Sequence, residues 1–318
     1  MKQVVQIFFS LLLAGVVMFY LYRDFPFSKV SYTLSNDINW LWIAIGMLMG
    51  SAAQIMRALR WQLLLTPIGA KCPLRNLIGA VFTSFALSLL IPRIGEVSRC
   101  ASLRKTNGIS FSKSIGTVVA ERIADTLVLL LLICLVFYLQ WPTVCTFFPS
   151  SATNTSQSVG SDNKIFFLAV IAVSLALIAV CAVWLLRRNE KFRKQCSKFK
   201  EGLLSVKHSG HPWLFTGASV LICLFNLLNL WLMFYGFSFT EQLGAGAALL
   251  AFCMIAFAMV IPTPNGAGPW HYVVMMSLVL YGIDKSNAST FTLIVHAVHM
   301  LTIIILGFIG MLIIRKSK

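Results

Sequence analysis

Residues 91–125 read IPRIGEVSRCASLRKTNGISFSKSIGTVVAERIAD, and the charges in this stretch decide what kind of fold the chain adopts. Arg93, Glu96 and Arg99, then Glu121, Arg122 and Asp125, lie between segments apolar enough to span a bilayer. A charge at membrane depth costs at least about 2.5–3.5 kcal/mol and is tolerated chiefly where it faces protein or a wet cavity. Arg93/Glu96 and Glu96/Arg99 are three residues apart and Glu121/Asp125 four apart. Each pair therefore shares a face if its segment is helical. Two outcomes follow: a site for a charged headgroup or ion, or ion pairs that tie helices together.

Working outward, 58% of the residues are hydrophobic and 11% charged, with a mean hydropathy of +0.83. That balance belongs to a polytopic membrane protein. The longest polar segment, 187–212, is too short to bury a core of its own. The expected organisation is one integral membrane domain, 1–318. Its first half runs to about residue 140, followed by an exterior loop at 142–163, a cytoplasmic linker at 187–212 and a second half at about 213–318. Of 26 Lys and Arg, only Arg23, Lys29, Lys164 and Lys285 fall in segments assigned to the outside. The charge rule then places both termini in the cytoplasm of a multi-pass protein of a bacterial cytoplasmic (inner) membrane. A net charge of +16 favours anionic lipid as partner, although topology explains most of it; nothing points to nucleic acid. The eight Cys show no pairing rhythm, so neither a disulfide, a metal site nor another cofactor is expected.

The first span is Val4–Tyr22 and the second Ile38–Met56, leaving Arg57, Arg60, Lys71 and Arg75 on the cytoplasmic side and Trp61 at the interface. Leu74–Ile91 has basic residues on both flanks, so a simple crossing would strand one flank outside. The segment is expected to be re-entrant, breaking at Pro92–Gly95 and returning through Glu96–Lys105. Ser112–Trp141 is expected as one helix of roughly 45 Å. Further crossings are placed at Ile165–Leu186, Trp213–Phe239, Leu243–Ile261, His271–Ile283 and Phe291–Ile314.

A second interruption, IPTPNGAGP at 261–269, holds three Pro and two Gly in nine residues and cannot continue a helix. In lipid, such a break must be buried or line a cavity. Its spacing echoes the first break, and paired Pro/Gly interruptions in corresponding halves point to a transporter's site. The expected fold is thus an all-α, polytopic transmembrane bundle with two re-entrant or broken helix hairpins related as an inverted repeat. Freed helix ends at the breaks suit an anion such as phosphate, with Asn265, Gly266 and His271 contributed by the second. His271, His296 and His299 are either a proton relay or buried, hydrogen-bonded histidines.

At the P-R-x-G-E-x-x-R run of Pro92 to Arg99, the E-R-x-x-D of Glu121 to Asp125, the R-x-x-R-W of Arg57 to Trp61 and the second break, the chain resembles the lysylphosphatidylglycerol synthase transmembrane region. This is the flippase-like domain family, and the likeness covers essentially the whole chain. It implies movement between leaflets of a lipid with an anionic, aminoacylated or glycan-linked headgroup. Arg93 and Arg99 would hold phosphate, with Glu96, Glu121 and Asp125 orienting the arginines or binding a coupling proton; Arg122, Arg57 and Arg60 fall in the same motifs. The chain as given ends at Lys318 without the soluble synthase domain of aminoacylating members, so no enzymatic activity is expected. His271 also stands near where relatives often place an acidic residue. The alternative is a membrane-embedded transferase acting on a polyprenyl phosphate or phospholipid headgroup, with Glu121 and Asp125 as metal ligands. Homo-oligomerisation stays open.

Overall fold

The computed structural model describes residues 2–69, 72–91, 94–140, 212–261 and 263–315. The loop expected at 142–163, the crossing at 165–186 and linker residues 187–211 lie outside the described residues, as do Pro92, Arg93 and Pro262. The described residues form ten α-helices: α1 (Lys2–Tyr22), α2 (Ser28–Asn36), α3 (Trp40–Leu65), α4 (Leu74–Leu90), α5 (Ile94–Asn107), α6 (Phe111–Leu139), α7 (Pro212–Phe234), α8 (Ala245–Ala258), α9 (Pro269–Leu280) and α10 (Lys285–Arg315). The protein is an all-α polytopic bundle, and α3, α7 and α10 are long and apolar enough to cross a membrane.

Two elements depart from the expectation. The segment after Pro26, expected as loop, forms α2, which has neither Gly nor Pro inside and buries Thr33. Helix α3 starts where the Asn39 side chain accepts the Leu41 N–H at 3.1 Å, an N-cap contact that satisfies a free helix-end donor. It then runs past Met56 to Leu65, so Arg57, Arg60 and Trp61 lie within the helix instead of flanking it. Arg60 and Trp61 find polar partners on neighbouring helices, so their polar groups do not have to end the helix.

The helix lengths repeat. Residues 40–139 form helices of 26, 17, 14 and 29 residues, and residues 212–315 form helices of 23, 14, 12 and 31. At 1.5 Å per residue the four short helices span about 18–26 Å, less than the roughly 30 Å hydrocarbon core. Each short pair packs as a hairpin, α4 with α5 and α8 with α9, while α3 lies along α7 and α4 along α10.

The α4–α10 contact depends on small residues. A Cβ added at Gly310 would come within 2.8 Å of the Gly79 carbonyl and of Phe82 and Thr83, and one at Gly307 would strike Ala86. Small residues let helix backbones approach closely where lipid offers no hydrophobic drive. Because Gly79 meets Gly310 and Ala86 meets Gly307, the helices are antiparallel, and α4 ends near the middle of α10. The second break arrives at the same level. Its turn, Pro264–Gly266, packs against α4, and Asn265 Nδ2 reaches Met300 Sδ on α10 at 3.1 Å. The second break and α4 are neighbours within the bundle.

Gly307→Leu should overpack this seam and cost about 1–3 kcal/mol, read as a lower thermal midpoint of the detergent-purified protein. Gly217→Leu is the control, because nothing lies within 4 Å of its added Cβ. An equal loss in both variants would contradict the seam's role.

Candidate functional site

Three helices bring the motif charges together. Arg57, Arg60 and Trp61 recur at three- and four-residue spacing on α3. Glu121 and Asp125 share a face of α6, and Glu96 and Arg99 come from α5. Arg99 Nη2 lies 2.6 Å from Glu121 Oε2, and Arg60 Nε lies 3.7 Å from Glu121 Oε1. Arg60 also pairs with Asp125 and donates to Ser219 Oγ on α7 at 3.0 Å. Arg122 bridges Glu96 at 3.2 Å and Asp125 at 3.0 Å. Aromatic faces complete the packing: the Arg99 guanidinium stands 4.6 Å from the Trp61 ring centre and that of Arg60 5.6 Å from Phe215. Trp61 Nε1 donates to Thr117 Oγ1 at 2.9 Å, and this indole is buried in the protein.

The pairing differs from what spacing alone implies. Glu96 joins Arg122 on α6 instead of Arg99 on its own helix, and Arg99 turns to Glu121. Arg60 and Glu121 are fully buried, whereas the Arg122 and Glu96 side chains are 39% and 48% exposed and mark the open side. Helix α5 presses so closely on α4 that a Cβ at Gly95 would strike Ser88 Oγ and the Ser84 carbonyl.

The described charges do not balance. Four guanidiniums (Arg57, Arg60, Arg99, Arg122) face three carboxylates (Glu96, Glu121, Asp125), and Arg57 has no carboxylate within ion-pair distance among the described residues. Its Nε is buried without a hydrogen-bond partner, and its guanidinium lies 5.4 Å from the Phe85 ring centre. Arg57 and Arg122 together line two cavities. One, of about 150 Å³, is also bordered by Ser84, Ser88, Glu96 and Arg99. The other, of about 210 Å³, is bordered by Asp125, Ser219 and Asn226 and reaches Phe252 of α8. An anion entering either cavity meets a guanidinium not already paired with carboxylate.

The second-break residues form a separate group. Asn265 adopts a left-handed backbone (φ 47°), and Gly266 and Gly268 also have positive φ, 76° and 90°. Pro269 opens α9, its fixed φ suiting a first helical position. Asn265, Gly266 and His271 line neither Arg57 cavity, although their turn packs on α4, which borders one of them. His271 packs on His296, ring centres 4.3 Å apart. Spacing did not point to Ser219, Asn226 or Phe85; isolated polar residues in the apolar run of α7 were the available signal for the first two.

Replacing Glu121 by Ala leaves Arg60 and Arg99 short of a buried counter-charge. The variant should lose about 3–5 kcal/mol, measured by denaturant unfolding in detergent, while Glu96→Ala on the open side should lose far less. A neutral Glu121→Ala would contradict the buried bridge.

Comparison with known proteins gives matches over nearly the whole chain. The model of the family described as the lysylphosphatidylglycerol synthase TM region matches residues 7–307. Two UPF0104 membrane proteins of Methanocaldococcus jannaschii are similar. One is 23% identical over 99% of this chain and 96% of its own length. The other is 26% identical over 73% of this chain and 95% of its own length. No solved structure matches the chain.

Proposed function

We propose that this chain, which belongs to the family described as the lysylphosphatidylglycerol synthase TM region, carries an anionic, aminoacylated or glycan-linked lipid between the leaflets of a membrane. The observation that supports this most is Arg57, a guanidinium that lines two cavities and has no carboxylate partner among the described residues. Guanidinium is planar, permanently charged and matched to phosphate by two parallel N–H donors. In this scheme the lipid phosphate seats between Arg57 and Arg122 while its acyl chains stay in the bilayer. Glu96, Glu121 and Asp125 hold the guanidiniums in place, so the protein performs translocation rather than turnover chemistry.

The hairpins α4–α5 and α8–α9 then act as re-entrant elements entering from opposite faces, an inverted repeat. Each contributes a wall to one of the cavities beside Arg57, through Ser88 and Glu96 in the first and Phe252 in the second. Rocking of one half against the other would pass the headgroup from one cavity to the next, as repeat transporters do around a fixed midplane site. The lysines and arginines of the sequence place both termini in the cytoplasm of a bacterial cytoplasmic membrane under this scheme.

Purified protein in vesicles should move a fluorescent phosphatidylglycerol faster than the matching phosphatidylcholine. Arg57→Ala should slow that movement about 10- to 100-fold, the loss of one charge-assisted contact of roughly 1.5–3 kcal/mol. Arg57→Lys, which keeps the charge but not the fork, should fall between. Equal rates for both lipids, or an Arg57→Ala variant as fast as wild type, would contradict the scheme.

A further inference from the structure

A third cavity, about 30 Å³, lies among α3, α4, α7 and α10, with Ser51, Gln54, Asn229, His299 and Thr302 as its polar lining and Phe85 on its wall. That volume holds one or two waters. Ser51 Oγ donates to the Met47 carbonyl at 2.8 Å and Thr302 Oγ1 to the Val298 carbonyl at 2.9 Å. Both hydroxyls have thus spent their protons on the helix backbone and offer lone pairs to the cavity. Gln54 Oε1 is buried with no partner. The lining is rich in acceptors and calls for a donor, which water or the His299 N–H supplies.

Polar groups continue from this cavity in both directions. Gln54 stands three residues before Arg57 on α3. Asn229 stands three after Asn226, which lines the larger Arg57 cavity. Phe85 lines both this cavity and the smaller Arg57 cavity. In the other direction His299 stands three residues after His296, whose Nε2 lies 3.4 Å from the Asn265 carbonyl. The His271 Nδ1 accepts the Gly268 N–H at 3.4 Å, which leaves Nε2 to carry that ring's proton. The groups facing this pair are Trp270 from α9, Asn265 from the break and Tyr22 from α1. Ser51, Gln54, Phe85 and Asn229 face His299 across the cavity. Among the described residues no carboxylate, Lys or Arg pairs with any of the three histidines.

We propose that these residues form a proton track from the second break, through His271, His296, His299 and the water-sized cavity, to the charge cluster, so that lipid movement at the Arg57 site is coupled to protons. The coupling rests on the function proposed above; the proton site does not. Each neutral imidazole takes a proton on its bare nitrogen and releases the one on its other nitrogen, while cavity water relays through O–H. Only N–H and O–H bonds form and break, and one positive charge moves per transfer. The guanidiniums cannot serve as acceptors, so the proton ends on Asp125 or Glu96, the two partners of Arg122. A neutralised carboxylate loosens its hold on Arg122 and frees that guanidinium for a phosphate. Phe85 separates the third cavity from Arg57, so transfer waits on movement of its ring.

The readout is built into the site. The Trp270 ring centre lies 5.1 Å from that of His296 and 5.5 Å from that of His271, and an imidazolium so close quenches indole emission. The full chain in lipid nanodiscs is titrated from about pH 8 to about pH 4, a range that brackets ordinary histidine. The expected result is a falling emission component that is absent in Trp270→Phe and lost in His296→Gln, with Trp270→Phe and a second variant, His296→Asn, confirming folded protein by size-exclusion profile. In phosphatidylglycerol vesicles a pH gradient should speed lipid movement several-fold for wild type and leave His299→Leu at its gradient-free rate. Emission from Trp270 that is flat with pH, or quenching that survives replacement of both His271 and His296 by Gln, overturns the proton site. Quenching that survives His296→Gln but is lost when His271 is also replaced assigns the proton to His271 and supports the site. Wild-type lipid movement indifferent to the gradient overturns the coupling. Absence of any lipid movement, with the quenching present and lost in His296→Gln, overturns the lipid function while the proton site stands.

Discussion

Glu121 sits at no measurable exposure between two guanidiniums, Arg99 at 2.6 Å and Arg60 at 3.7 Å, and the first half of the molecule is arranged around that bridge. Removing ions from water costs several kcal/mol each, and only good geometry with further hydrogen bonds offsets it. Arg60 gains hydrogen bonds to Asp125 and Ser219, and Arg99 gains a cation–π contact with the Trp61 face in place of a further hydrogen bond. Because Arg60, Arg99 and Glu121 belong to α3, α5 and α6, the short helix α5 is held inside the bundle. It is the least apolar of the buried helices, with five charged or amide residues among its fourteen. The bridge adds to the apolar packing of Cys100 and Leu103 in keeping it there.

The same constraint leaves one cation over. Three carboxylates suffice for Arg60, Arg99 and Arg122, and Arg57 is left facing the Phe85 ring and two cavities. A bundle selected only for stability would gain by replacing Arg57 with an apolar residue, since a half-buried charge with a buried, unpartnered Nε and no carboxylate partner among the described residues is costly. The second break is comparable: Asn265 at φ 47° and Gly266 at φ 76° hold backbone conformations that cost free energy and persist where the surroundings enforce them. Both features sit beside α4, which also carries the glycine contact to α10.

Much of this was legible in the sequence, for physical reasons. Charges inside apolar runs have few places to go, so Glu96, Arg99, Glu121, Arg122 and Asp125 could be read as one cluster before any coordinates. Three Pro and two Gly within nine residues cannot form helix, so the second break was equally plain. The choice of partners was not legible. Spacing reports neighbours on one helix, whereas Arg99 and Glu96 each bond across to α6, and the R-x-x-R-W run marks Arg57 and Arg60 as site candidates without giving their partners. The pairing of His271 with His296 required the packing of α9 on α10, and Gln54, Asn226 and Asn229 carry no motif. Arg93, prominent in the sequence, lies outside the described residues.

The central claim is that the unpaired guanidinium of Arg57 receives a lipid phosphate. Electron cryomicroscopy of the full chain in nanodiscs of phosphatidylglycerol addresses it directly. The predicted result is headgroup density between Arg57 and Arg122, with acyl chains leaving the cavity toward the bilayer. Density for anionic lipid confined to the outer surface of the bundle, with both cavities beside Arg57 holding only water, would contradict it.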